Sequence, residues 1–102
     1  MATKPFTYVW EFDVPREREA EFERHYGQAG TWVKLFSRAS GYLGTLLLKD
    51  GERPGRYLTV DRWESEAAYR AFRTQYASEY QALDLQCENL TSSEKSLGNF
   101  TE

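Results

Sequence analysis

Arg56-Tyr57-Leu58-Thr59-Val60-Asp61-Arg62-Trp63-Glu64-Ser65 is the stretch on which the fold turns. Tyr57 to Trp63 mixes aromatic and β-branched residues and reads as a strand, and Ser65, two residues on, is a residue type that caps helices. Upstream, Tyr42 to Lys49 reads as a second strand, joined to the first by the polar loop Asp50-Gly51-Glu52-Arg53-Pro54-Gly55 as a hairpin. Plain alternation puts Leu43 and Leu47 on one face of it and Tyr42, Leu46 and Leu48 on the other, so both faces are apolar. Downstream, Tyr69, Phe72, Tyr76, Tyr80, Leu83, Cys87 and Leu90 recur at spacings of three and four, the stripe of a helix from Glu66 to Leu90. Glu66 and Arg70 stand one turn apart in the favourable order. Ser78 and Gln81 match a capping box and place a kink at Ala77-Ser78; Thr91-Ser92-Ser93-Glu94 repeats the pattern as one more turn.

Toward the start of the chain, Phe6, Tyr8, Trp10 and Phe12 alternate with Thr7, Val9 and Glu11, the period of a strand with one aromatic face. Asp13-Val14-Pro15 then supplies a capping carboxylate and a proline for a helix from Pro15 to Gln28, with Ala20, Phe22 and Tyr26 inward. Gly27 and Gly30 break it, and Trp32, Leu35, Phe36 and Ala39 fit a second short helix. Leu97-Gly98-Asn99-Phe100 closes the chain as a last edge strand. The order β-α-β-β-α-β makes residues 1–102 a single α+β domain, a ferredoxin-like antiparallel sheet with helices on one face. The helices cover only one side, so the apolar outer face predicts a homodimer through the sheet. In a competing reading Thr7, Glu11, Asp13, Thr59 and Asp61 make one face polar enough for water.

Composition narrows the function classes. Thirteen Lys and Arg against sixteen Asp and Glu leave a net charge of −3, and no basic run with interleaved aromatics occurs, so nucleic acid is not an expected partner. The longest apolar run, Leu46-Leu47-Leu48, is far short of the roughly 20 residues of a membrane span. Met1-Ala2-Thr3-Lys4-Pro5 lacks the apolar core of a signal peptide, and the single cysteine, Cys87, has no partner for an internal disulfide; a cytoplasmic protein is expected. Asn89-Leu90-Thr91 and Asn99-Phe100-Thr101 match the glycosylation sequon by coincidence on that reading. No Cys/His cluster, His-x-x-x-His, phosphate loop or Gly-x-Ser-x-Gly appears, and no metal site is expected. Gly41-Tyr42-Leu43-Gly44 opens a strand where a dinucleotide fingerprint opens a helix.

The chemistry-bearing candidates are few. His25, the only histidine, lies beside Phe22 and Tyr26 and has the unperturbed basicity of a general base; the plainer reading is a histidine at the edge of an apolar stripe. Arg73, between Phe72 and Tyr76, can pair with an anionic oxygen or stand as solvated surface. Trp10, Trp32 and Trp63, with Tyr42, Tyr57 and Tyr69, are flat walls for a planar aromatic guest, or simply core. Asp61 and Glu64 flank Arg62-Trp63, but neighbouring strand acids tend to point apart or stay solvated.

Gly41-Tyr42-Leu43-Gly44-Thr45-Leu46-Leu47-Leu48, then Arg56 to Ser65, then Ala68-Tyr69-Arg70-Ala71-Phe72 resembles the antibiotic biosynthesis monooxygenase family, whose members are dimeric α+β barrels. The resemblance runs from Phe6 to Phe100, and Trp-Glu-Ser at the strand end is its most characteristic element. It implies a pocket between sheet and helices, and a cofactor-independent monooxygenase that oxidises a small aromatic or polyketide-like substrate with dioxygen. Trp63 matches the family's strand-end tryptophan and is implied at the site; His25 is the candidate base. The haem-degrading branch uses a first-strand asparagine and a second-helix histidine, but Tyr8 to Asp13 holds no Asn and Glu66 to Leu90 no His, so no cofactor is expected. The anthrone-oxidising branch's first-strand asparagine is missing as well. A non-catalytic small-molecule-binding protein, or an isomerase or lyase of the same barrel type, stays open.

Overall fold

Phe6–Asp13 (β1), Tyr42–Lys49 (β2), Arg56–Trp63 (β3) and Ser93–Thr101 (β4) form one antiparallel sheet in the order β2-β3-β1-β4. The computed structural model describes residues 4–102; Met1-Ala2-Thr3 lie outside the described residues. Glu19–Tyr26 (α1), Thr31–Phe36 (α2), Glu66–Gln75 (α3) and Ala77–Cys87 (α4) are the helices. The ferredoxin-like α+β architecture predicted from the sequence is the one observed.

The pairing of β1 with β3 sets Phe6 against Trp63, Tyr8 against Asp61, Trp10 against Thr59 and Phe12 against Tyr57. Directly opposed residues share a face, so these side chains all point toward the helices. Thr59 and Asp61 are therefore buried inside, not part of a water-facing surface as the competing reading had them. The core is chiefly aromatic. Trp63, fully buried, has the rings of Tyr42, Phe36, Tyr69 and Phe72 within 5.0–5.7 Å.

Four boundaries differ from the expectations. The first helix begins as a 3-10 turn over Arg16–Arg18 and becomes α-helical only at Glu19; it ends at Tyr26, and Ala20 is exposed. Asp13 does not cap it. It ends β1, where its carboxylate accepts from Arg53 at 2.5 Å and from the Ser93 hydroxyl at 2.8 Å. The long helix breaks at Tyr76, one residue before the expected kink. Ser65 does cap it, accepting from the Ala68 N–H at 3.1 Å, and Glu66 pairs with Arg70. Finally, Ser93-Glu94 begins a nine-residue strand rather than another helical turn. Pairing along the whole length of β1 supplies backbone partners that outweigh the weak local preference of Ser93-Glu94-Lys95-Ser96.

A bulge in β2 corrects the assignment of its faces. Leu43 and Gly44 together oppose the Arg62 position, with Gly44 at φ +145°, a conformation that glycine adopts readily. Tyr42 consequently lies on the same side as Thr45 and Leu47, toward the helices. Leu43, Leu46 and Leu48 are exposed on the other side. At the far end of the hairpin Gly55 has φ +84° and its carbonyl accepts from the Val14 N–H at 2.8 Å. A Cβ there would sit 2.6 Å from the Val14 oxygen, so the hairpin loop can lie against the end of β1 only with glycine at this position.

Candidate functional site

The inward row of β3 and the aromatic row of β1 meet the helices around a cavity of about 230 Å³. Tyr8, Trp10 and Phe12 of β1, Thr59 and Asp61 of β3 and Glu94 of β4 form its sheet side. Tyr26, Trp32 and Phe36 come from α1 and α2, and Arg73, Tyr80 and Asp84 from α3 and α4. Every wall carries aromatic surface or a polar group, the composition of a small-molecule site.

Asp61 is the main polar feature of the floor. It is 5% exposed, and Thr45 donates its hydroxyl to Asp61 Oδ1 at 2.5 Å. The Tyr42 hydroxyl is bonded in turn to that of Thr45, a contact the β2 bulge makes available. Burial pushes the Asp61 carboxyl up to about 6, against the opposing effect of the Thr45 hydrogen bond. Burial also raises the phenols of Tyr8, Tyr42 and Tyr80, the last to about 12. These phenols are therefore donors at neutral pH.

Arg73 stands at the rim. Its Nη1 donates to the Tyr69 hydroxyl at 2.9 Å and its guanidinium lies 3.8 Å from the centre of the Tyr80 ring, a cation–π contact. Among the described residues no carboxylate lies within ion-pair distance of it. The other rim is acidic: burial and the nearby Asp84 raise the Glu94 carboxyl.

Of the residues singled out in the sequence, Trp10, Trp32 and Arg73 line the cavity. Tyr42 reaches it only through Thr45. Tyr69 holds Arg73. Tyr57 is buried with its hydroxyl donating to Glu23 and Glu19, and Trp63 is enclosed by other rings; neither is a lining residue. His25 also lies off the lining: it is 8% exposed on α1, with Nδ1 3.0 Å from the Thr31 hydroxyl. Asp61 is the main lining group that the sequence reading left aside. Its signal was the two-residue step to Trp63, which places both on the inner face once Trp63 is taken as core.

The sequence profile of the antibiotic biosynthesis monooxygenase family matches residues 5–82, and the chain belongs to that family. No curated protein sequence matches it. Among solved structures it is similar to SnoaB, a cofactor-independent oxygenase from Streptomyces nogalater. The identity is 24% and the TM-score 0.67, over 98% of this chain and 94% of that one. It is also similar to PA3566 from Pseudomonas aeruginosa, at 15% identity and TM-score 0.76 over 100% and 97% of the two chains. A third is a MhuD variant with two manganese protoporphyrin IX molecules bound per active site, at 22% identity and TM-score 0.69 over 93% and 91%. At these identities the likeness is one of fold.

The cavity residues do not suit a haem. Its lining has no histidine, cysteine or methionine to ligate iron, and burial holds the phenols of its tyrosines, Tyr8, Tyr26 and Tyr80, in the protonated form rather than as phenolate ligands; the one histidine is engaged by Thr31. Among the described residues no group of three or more His, Cys, Asp and Glu is arranged to hold a metal ion.

Proposed function

We propose that this protein is a cofactor-independent monooxygenase acting on a small planar aromatic or polyketide-like molecule with dioxygen. The aromatic cavity between sheet and helices, with a carboxylate on its floor and a guanidinium at its rim, carries the reading. Family membership supports it, as does likeness in fold to an oxygenase described as cofactor-independent. Loss of a proton makes the substrate electron-rich enough to reduce dioxygen directly. A substrate CH₂ and O₂ then become a carbonyl and water, with all oxidising equivalents drawn from O₂. The protein's part is to exclude water, take the proton and stabilise the negative charge, for which Arg73 is the available cation. At about 230 Å³ the cavity lies below the roughly 300–1,000 Å³ usual for ligand sites, which favours substrates of one or two rings.

Oxygen uptake by metal-stripped protein offered hydroquinones, naphthols and anthrones tests this. Uptake well above a protein-free control is expected, and Thr59→Phe, which fills the cavity from its floor, is expected to abolish it while circular dichroism shows the fold retained. Uptake that survives Thr59→Phe would place the reaction elsewhere, and none with any substrate would favour a binding protein. The buried carboxylate supports an isomerase or lyase as the second reading, distinguished by turnover without oxygen consumption.

The working unit we propose is a homodimer joined through the outer sheet face, in the cytoplasm. Leu43, Leu46, Leu48 and Phe100 are exposed on that face, Leu46 by 50% and Phe100 by 53%. Of its charged groups, Arg56 pairs with Glu11 and Asp50 and Arg62 with Glu102, while Lys95 stands opposite Glu11 on β4; between them the leucines form an apolar strip. A buried free thiol at Cys87 suits a reducing compartment, and no helix among the described residues is long and apolar enough to cross a membrane. Light scattering at micromolar concentration should give twice the 11.9 kDa chain mass. Leu46→Asp should return the mass of one chain; a monomeric parent protein would refute the interface.

A further inference from the structure

We propose that Asp61 is the general base of the cavity, taking a proton from an acidic C–H or O–H of the bound molecule through its free oxygen while Thr45 and Tyr42 fix the other. The assignment rests on the cavity being a substrate site and is independent of whether the later chemistry uses dioxygen.

The geometry separates the two carboxylate oxygens. Oδ1 is anchored by Thr45. Oδ2 has no hydrogen-bond partner among the described residues, on a side chain that lines the cavity. Among those residues no Lys, Arg or His lies within ion-pair distance of Asp61. A buried, unpaired carboxylate is a costly way to fill space, whereas one oriented on one side and open on the other is a poised proton acceptor.

Tyr8 from β1, Tyr42 and Thr45 from β2 and Tyr80 from α4 interact with Asp61, and the other titratable or charged groups lining the same cavity are Tyr26 from α1, Arg73 from α3, Asp84 from α4 and Glu94 from β4. The tyrosines stay protonated at neutral pH and do not compete as bases. Asp84 and Glu94 lie together at the other rim, and Arg73 is the one cation of the lining. The position of the Asp61 carboxyl near 6 leaves it ionised at neutral pH yet basic enough to accept a proton, the match that general-base catalysis favours.

The proton balance is simple. The substrate C–H bond breaks, its electron pair stays on the substrate as an enolate, and the proton goes to Asp61 Oδ2. Reversal returns a proton to carbon after exchange with water, with no change in oxidation state.

This half-reaction can be read without oxygen. In anaerobic D₂O, 2-tetralone, a two-ring carbon acid, would report proton abstraction as deuterium incorporated at its benzylic carbon, followed by NMR. The parent protein is expected to accelerate exchange at least about 100-fold over buffer, within the range for a positioned base, and Asp61→Asn to bring it close to the buffer rate. Thr45→Val keeps the carboxylate but removes the hydrogen bond that favours its ionised form. It should retain exchange with the midpoint of the pH profile moved upward, a shift that a purely structural role would not produce. Full exchange by Asp61→Asn, or none by the parent protein, overturns the assignment. Exchange without oxygen uptake on any substrate would instead overturn the oxygenase reading and leave Asp61 as the base of an isomerase or lyase.

Discussion

Trp63→Ala is expected to destabilise the fold by about 3–5 kcal/mol, the range for a large aromatic removed from a packed core. The side chain has no exposed surface, and the rings around it come from β2, α2 and α3. No single element can move in to close the space. Domains of this size are stable by only about 5–15 kcal/mol, so the loss is a large share of the total, and the thermal midpoint should fall by more than roughly 12 °C. Urea unfolding followed by circular dichroism reads it directly. A change below about 1 kcal/mol would mean that the cluster repacks and that Trp63 is not its centre. In packing among these rings, Trp63 holds the strand that carries Asp61 and Thr59 against the helices.

The second large effect is a pH-dependent gain from Asp61→Asn. Burial raises the Asp61 carboxyl from 3.8 to about 6 in the folded protein, so the folded chain binds this proton more tightly than the unfolded chain does. The group's contribution to stability is thus complete below about pH 4 and is lost as pH rises through about 6. A shift of this size corresponds to about 3 kcal/mol. Asn cannot ionise, so relative to the parent protein it should gain about 2–3 kcal/mol between pH 4 and pH 8. Comparing the two pH values removes whatever the amide's own N–H groups cost. Paired urea titrations measure the difference; an unchanged gap between parent and variant would show that Asp61 is solvated and ionises normally. A carboxylate that weakens the fold at neutral pH is the kind of residue that function retains.

Period and punctuation in the sequence were enough for the architecture. The aromatic alternation of Phe6 to Phe12, the hairpin loop at Asp50 to Gly55 and the Ser65 cap all name elements the structure contains. What escaped was set by pairing. Ser93 to Ser96 has no strand-forming character of its own and is extended because β1 presents an open edge to it. The register of β2 escaped because a bulge breaks the two-residue period between Tyr42 and Thr45, and no local feature but Gly44 marks it. The site was half legible. Trp10, Trp32 and Arg73 line the cavity, but an aromatic in a core and one in a pocket wall obey the same periodicity, so Tyr57 and Trp63 could not be told from them. Asp61 was in view but judged as a strand acid in isolation; its neighbours in space are Thr45 and Tyr42, brought to it by strand pairing rather than by sequence.

The central strand β1 has a consequence for the order in which the molecule comes into being. It is synthesised before either of the strands it pairs with: β3 is complete only at Trp63 and β4 only at Thr101. Until then Phe6, Tyr8, Trp10 and Phe12 belong to an unpaired aromatic segment, the kind of surface that draws nascent chains into aggregates. Because Glu94 of β4 lines the cavity, its enclosure is completed only when the last strand docks. A ribosome-bound chain lacking that strand has β1 as an open sheet edge and a cavity without the wall that Glu94 supplies.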